Sequence, residues 1–200
     1  MRIVTFRERE TPPELRAQAL AQQAQAWPPS VDDRANDSDS DSHSDGDGDW
    51  HDPALDPVTM LLVDGGTVIA SLDLLSKDIW HHGRSYRARG LSRVVTGVTH
   101  RGRGFGRHLV AYAREEIRRS GADLGIFTCD RELQGFYESA GWQPVAGAVL
   151  VGGTPDDPFP SDLFDKVTMA AFFSPAARRH ADSFTGTRIA LHSGPVDRLW

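Results

Sequence analysis

The stretch Arg101-Gly102-Arg103-Gly104-Phe105-Gly106 constrains the fold of this chain more than any other. It follows an apolar, β-branched run (Val94, Val95, Thr96, Val98) and opens a segment with Phe105, Leu109, Ala113 and Ile117 spaced four apart. The order is strand, Gly-rich turn, amphipathic helix. Glycines let a backbone approach phosphates closely, and the N–H groups that open a helix point at an anion. The two arginines add charge-assisted donors. The loop therefore reads as a cradle for a pyrophosphate, against the plainer reading of a surface turn that caps a helix. A dinucleotide fingerprint needs Gly-x-Gly-x-x-Gly, and a triphosphate loop needs Gly-Lys-Ser/Thr. This stretch has neither.

The rest of the chain predicts a single domain. Two hundred residues suffice for one substantial core. No apolar run reaches the roughly 18 residues that span a bilayer, so no membrane is expected. The N-terminus reads as a short strand and not as a secretory signal. One cysteine, Cys129, allows no internal disulfide and suits a reducing cytoplasm. It lies in an apolar run and reads as a small buried residue. The net charge of −6 is uneven: residues 32–52 hold nine Asp and one Arg, which leaves about +2 elsewhere. That asymmetry argues against nucleic acid as a partner.

Pro12 to Trp27 reads as a helix, with Leu15, Ala19 and Gln22/Gln23 on a partly apolar stripe and Pro28-Pro29 as the stop. Residues 30–57 are rich in Asp, Ser and Gly and predict a disordered acidic loop. Asp41 to Asp52 loosely mimics a calcium loop but lacks flanking helices and a closing Glu, so no metal is expected. Thr59–Val63 and Thr67–Leu75 flank Asp64-Gly65-Gly66, a hairpin signal. Arg84–Leu91 and Ser92–Val98 continue as extended chain. Ala122–Thr128 predicts a strand and Arg131–Ser139 a short helix. Val145–Val151, Lys166–Phe173 and Thr187–Leu191 predict late strands.

The pattern Arg-x-x-Gly-x-Gly, carried by Arg101, Gly104 and Gly106, resembles the coenzyme A loop of the GNAT acyltransferases. Asp130 to Trp142, with Tyr137 followed by Gly141-Trp142, resembles that superfamily's tyrosine-ending helix. Within the superfamily the chain is similar to the aminoglycoside 2'-N-acetyltransferases. The shared signals are Asp49-Trp50 before the hairpin, Tyr137 to Trp142, Thr154-Pro155-Asp156-Asp157, and an Asp near a terminal Trp (Asp197, Trp200). The family's active-site glutamate falls on Ser92, and the terminal motif is one residue longer.

The resemblance implies a mixed α/β fold, a mostly antiparallel sheet flanked by helices, and acetyl-CoA as co-substrate. It places the coenzyme on Val94, Val95, Thr96, Arg101, Gly102, Arg103, Gly104, Phe105 and Gly106. Tyr137 becomes the general acid, since a phenol of pKa about 10 is protonated at neutral pH. The acceptor amine falls among Asp49, Ser92, Thr128, Asp157, Asp197 and Trp200, and acids suit a polycationic aminoglycoside, kasugamycin among them. The general base is open: Asp130, Asp157 or the terminal carboxylate could end a water chain, and His81, His82, His100 and His108 are weaker candidates. A protein or metabolite amine is the alternative acceptor, and a non-catalytic acyl-CoA-binding regulator is the alternative class. Family members often form a homodimer, which is a further expectation.

Overall fold

A computed structural model of the chain describes residues 1–28 and 51–191. β1 (Arg2–Arg7), β2 (Val58–Asp64), β3 (Thr67–His81) and β4 (Arg84–Thr96) form an antiparallel meander. After α2 (Phe105–Arg119) the chain enters β5 (Leu124–Asp130), α3 (Gln134–Ser139) and a two-residue strand β6 (Gln143–Pro144). β9 (Lys166–Phe172) completes a seven-stranded sheet in the order β1-β2-β3-β4-β5-β9-β6. β7 (Val149–Gly153), β8 (Pro158–Pro160) and β10 (Arg188–Ala190) make a second, three-stranded sheet. The mostly antiparallel α/β architecture matches the expectation. β8 and the short helix α4 (Pro175–Arg179) are additions that the sequence pattern did not reveal.

Alternation along the strands sends side chains to two faces. Met60 and Leu62 of β2 join the main core with Leu109, Val110, Ala113 and Ile117 of α2. Leu61 and Val63 face the other way, against Ala19 of α1 (Pro13–Ala26). The apolar stripe of α1 is thin, and two glutamines help to dock it. Gln18 Oε1 accepts from the Val68 N–H at 2.9 Å, and Gln22 Nε2 donates to the Val68 carbonyl at 2.6 Å. α1 thus roofs the second face of β2–β4, and a buried polar cluster lies between roof and sheet.

Two irregularities of β4 shape the site. β4 pairs with β5 at Ala88↔Leu124 and Arg89↔Gly125 alone, so the two parallel strands splay beyond Gly90. Pairing with β3 shifts register between Ser71↔Val95 and Asp73↔Ser92, which inserts one residue into β4. Arg93, at φ +48°, absorbs that bulge. Residues 51–57 depart from the loop expectation. His51 is buried, Asp52 caps a single turn at Pro53–Leu55 by accepting from the Ala54 N–H at 2.8 Å, and Leu55 enters the core. The remainder of the acidic run, with Asp49, lies outside the described residues, as do Asp197 and Trp200.

Candidate active site

The Gly-rich loop ends on Gly104, whose φ of +79° turns the chain into α2. A Cβ at Gly102 or Gly104 would meet no protein atom within 4 Å, so the loop presents an open face. Gly106 is the opposite case. Its Cβ would lie 2.5 Å from Thr96 Oγ1, so only glycine lets α2 sit this close to the end of β4. Arg101 is braced, donating through Nε to the Thr96 carbonyl at 3.1 Å. Together these residues border a groove of about 660 Å³ between β4, α2 and α3. Val94, Val95, Thr96, Arg101, Gly102, Gly104, Phe105 and Gly106 all line it, while Arg103 is exposed in the turn outside the lining. A closely approachable backbone, a helix N-terminus, an arginine and an unpaired strand edge suit a diphosphate joined to an amide-bearing arm.

A second cavity, of about 350 Å³, adjoins the splayed ends of β4 and β5. Ser92, Thr128 and Tyr137 border it with Leu91, Leu150 and Phe159. Val94, Asp130, Leu133 and Tyr137 belong to the walls of both spaces. Tyr137 is held there by edge-on contacts to Phe127 and Phe136, each with ring centroids 4.9 Å apart. Burial, with smaller contributions from Cys129 and Asp130, pushes its phenol well above the ordinary range, so it keeps its proton. Burial raises the Cys129 thiol to about 11, which keeps it inert. Asp130 is ion-paired with Lys166 Nζ at 2.5 Å.

Other expected residues lie apart. Asp157 is exposed in the turn between β7 and β8, where its N–H donates to Thr154 Oγ1 at 3.0 Å, and it is outside the cavity lining. His81 stacks on Phe184 and bonds the Ser183 carbonyl, a structural role. His100 borders the groove, and His108 is exposed on α2.

Of the cluster beneath α1, Ser92 alone was read in the sequence. His51 Nδ1 lies 2.7 Å from Glu8 Oε1, and His51 Nε2 lies 3.2 Å from Ser92 Oγ. The His51 backbone N–H donates to Glu8 Oε2 at 3.1 Å. Arg93 Nη1 approaches Glu8 Oε1 at 4.0 Å. Asp73 accepts from Thr59 Oγ1 at 2.6 Å, and burial pushes its carboxyl up to about 6 despite that bond. Glu8, His51 and Asp73 bring ligand-type atoms within 4.8 Å of one another, and each already has a protein partner. The one local signal was His51 itself, an imidazole between Trp50 and Asp52 at the end of the acidic run.

Among solved structures the chain is similar to ElaA of Escherichia coli, at 19% identity and a TM-score of 0.55, covering 85% of this chain and 99% of that one. An acyl-CoA N-acyltransferase from Pseudomonas aeruginosa matches at 17% identity and a TM-score of 0.54, over 84% and 97% of the two chains. An aminoglycoside 6'-N-acetyltransferase complexed with coenzyme A matches at 16% identity and a TM-score of 0.55, over 88% and 98%. At these identities the likeness is one of fold. No curated protein matches the chain in sequence. The family model described as an acetyltransferase (GNAT) domain matches residues 9–145, which include the Gly-rich loop and Tyr137. The chain belongs to the GNAT acetyltransferases.

Proposed function

We propose that this acetyltransferase acts on an amino group of an aminoglycoside, the 2'-amino type with kasugamycin as one candidate, using Tyr137 as general acid. The carrying observation is that Tyr137 stands in the wall common to the groove and the second cavity. Acetyl-CoA supplies an activated acetyl thioester when bound. The N–H groups opening α2 and the Arg101 guanidinium would hold its pyrophosphate, and the open edge of Val94 to Thr96 its amide arm. Tyr137 keeps a proton at Oη for the departing sulfur. The acidic run supports a cationic acceptor, because it joins the described chain at His51, whose ring touches Ser92 in the cavity wall. Asp49, Asp157 and Asp197 remain the acids proposed to meet the acceptor, with Trp200 beside Asp197 in sequence as a further contact.

A second reading rests on the described walls. Leu91, Leu150, Phe159 and Phe164 are apolar, and Asp130 is engaged by Lys166. These features suit a primary amine on an apolar body. An acceptor panel separates the two: aminoglycosides including kasugamycin, arylalkylamines, and peptides with free N-termini, each followed by mass spectrometry. Acetylated aminoglycoside supports the first reading. Transfer to arylalkylamines alone supports the second. Coenzyme A binding without transfer to any amine contradicts both and favours a regulator.

A further inference from the structure

We propose that Ser92, His51 and Glu8 form a proton relay that receives the proton lost by the acceptor amine. The proposal rests on the acetyltransferase reading and not on which amine is used. Three distant segments build the line: Glu8 follows β1, His51 precedes β2, and Ser92 lies in β4. Ser92 borders the second cavity, His51 Nε2 is 3.2 Å behind its hydroxyl, and Glu8 Oε1 is 2.7 Å from His51 Nδ1. The His51 side chain is fully buried.

The direction of the bonds follows from chemistry. An ionised carboxylate only accepts, so His51 carries its hydrogen on Nδ1 and donates to Glu8. That leaves the Nε2 lone pair for the Ser92 hydroxyl, which donates to it. The Ser92 lone pairs then remain for an N–H in the cavity. The bulge at Arg93 serves this arrangement: it keeps Ser92 opposite Asp73, on the α1 face, and brings Arg93 to Glu8. The ring gains its proton beside two carboxylates, Glu8 and Asp73. Among the described residues, Arg93 of β4 and Arg16 of α1 also face the cluster, and with Glu8 and Asp73 they border a crevice of about 20 Å³.

The transfer balances. The neutral amine forms a C–N bond to the acetyl carbon as the C–S bond breaks. Its proton passes to Ser92 Oγ while the Ser92 proton passes to His51 Nε2. Tyr137 Oη gives its proton to the departing sulfur. One proton then returns from His51 through the Ser92 hydroxyl and cavity water to Tyr137, and the enzyme is restored.

The test compares Ser92→Ala, Ser92→Thr and His51→Gln with wild type. Kinetics are followed across pH, coenzyme A binding is measured by calorimetry, and the His51 ring is followed by ¹⁵N NMR. The relay predicts that Ser92→Ala lowers kcat by about 100- to 10,000-fold. Coenzyme affinity should hardly move. Ser92→Thr should recover at least roughly tenfold of that loss, since it keeps the hydroxyl. The free enzyme should show the Nδ1–H tautomer, with the Nε2 signal displaced in Ser92→Ala. A near-normal kcat in Ser92→Ala overturns the relay, as does acetyl found covalently on Ser92. If wild-type protein acetylates no amine, the transferase reading fails separately, and the NMR arm still decides: an Nε2–H tautomer overturns the relay.

Discussion

Gly106 offers the sharpest test of how the groove is built. Gly106→Ala places a Cβ 2.5 Å from Thr96 Oγ1, and 3.4 Å is the lower end of ordinary contact, so about 0.9 Å must be found. The Phe136 ring stands 3.5 Å from the same point and blocks retreat on that side. Thr96 is β-branched and stiff at χ1, and one of its two other rotamers exchanges the hydroxyl for the methyl. The strain should cost about 1–3 kcal/mol, the range for overpacking. At about 2–4 °C per kcal/mol for a chain of this size, Tm should fall by several degrees. The displacement also moves the first N–H groups of α2, and loss of one charge-assisted bond would weaken coenzyme A roughly tenfold or more. Thr96→Ala removes the obstructing atom. The double variant Gly106→Ala/Thr96→Ala should therefore recover most of the Tm lost by Gly106→Ala, a coupling on the order of 1–2 kcal/mol. Calorimetric unfolding and coenzyme titration of all four proteins complete the cycle. Strictly additive effects would refute the close approach of α2 to β4 as the reason for glycine.

Two further outcomes are expected. Tyr137→Phe keeps the ring packing against Phe127 and Phe136 but removes the proton donor, so kcat should fall about 100- to 10,000-fold with coenzyme affinity retained. A near-normal kcat, with chemistry limiting, assigns the proton elsewhere. Asp73 titrates near 3.8 when exposed and at about 6 in the folded chain, so folding favours its protonated form. Its contribution is greatest below pH 3.8 and is lost as pH rises toward 6, a total of roughly 3 kcal/mol. Urea unfolding between pH 4 and 6.5 should show that loss in wild type and not in Asp73→Asn, which retains an acceptor for Thr59; identical slopes would contradict the assignment.

What could be read from the sequence was local. The hairpin at Asp64-Gly65-Gly66, the Gly-rich turn and the four-residue spacing of Leu109, Ala113 and Ile117 are set by neighbours in the chain, and each is found where expected. Tyr137 was singled out only through the resemblance of Asp130 to Trp142 to the GNAT helix, and the structure puts it in the wall of the groove. The Glu8–His51–Ser92 line was not legible, because a polar residue reads as exposed until distant segments bury it. His51 was further hidden by its surroundings: the Asp- and Ser-rich run predicts solvent, yet the chain turns inward one residue past Trp50. The docking of α1 was equally obscure, since Gln18 and Gln22 work through the backbone of β3 and carry no apolar signature.

The central claim, that the Gly-rich loop holds the coenzyme while Tyr137 serves the chemistry, is tested most directly by titrating coenzyme A calorimetrically into wild type, Gly104→Asp and Tyr137→Phe. Gly104 faces open space at φ +79°, a conformation that aspartate is among the few residues to tolerate, so the variant should fold with its carboxylate directed at the groove. Wild type and Tyr137→Phe should bind with similar Kd, and Gly104→Asp should lose at least roughly 100-fold, about 3 kcal/mol. A folded Gly104→Asp protein that binds coenzyme A as wild type does would contradict the account.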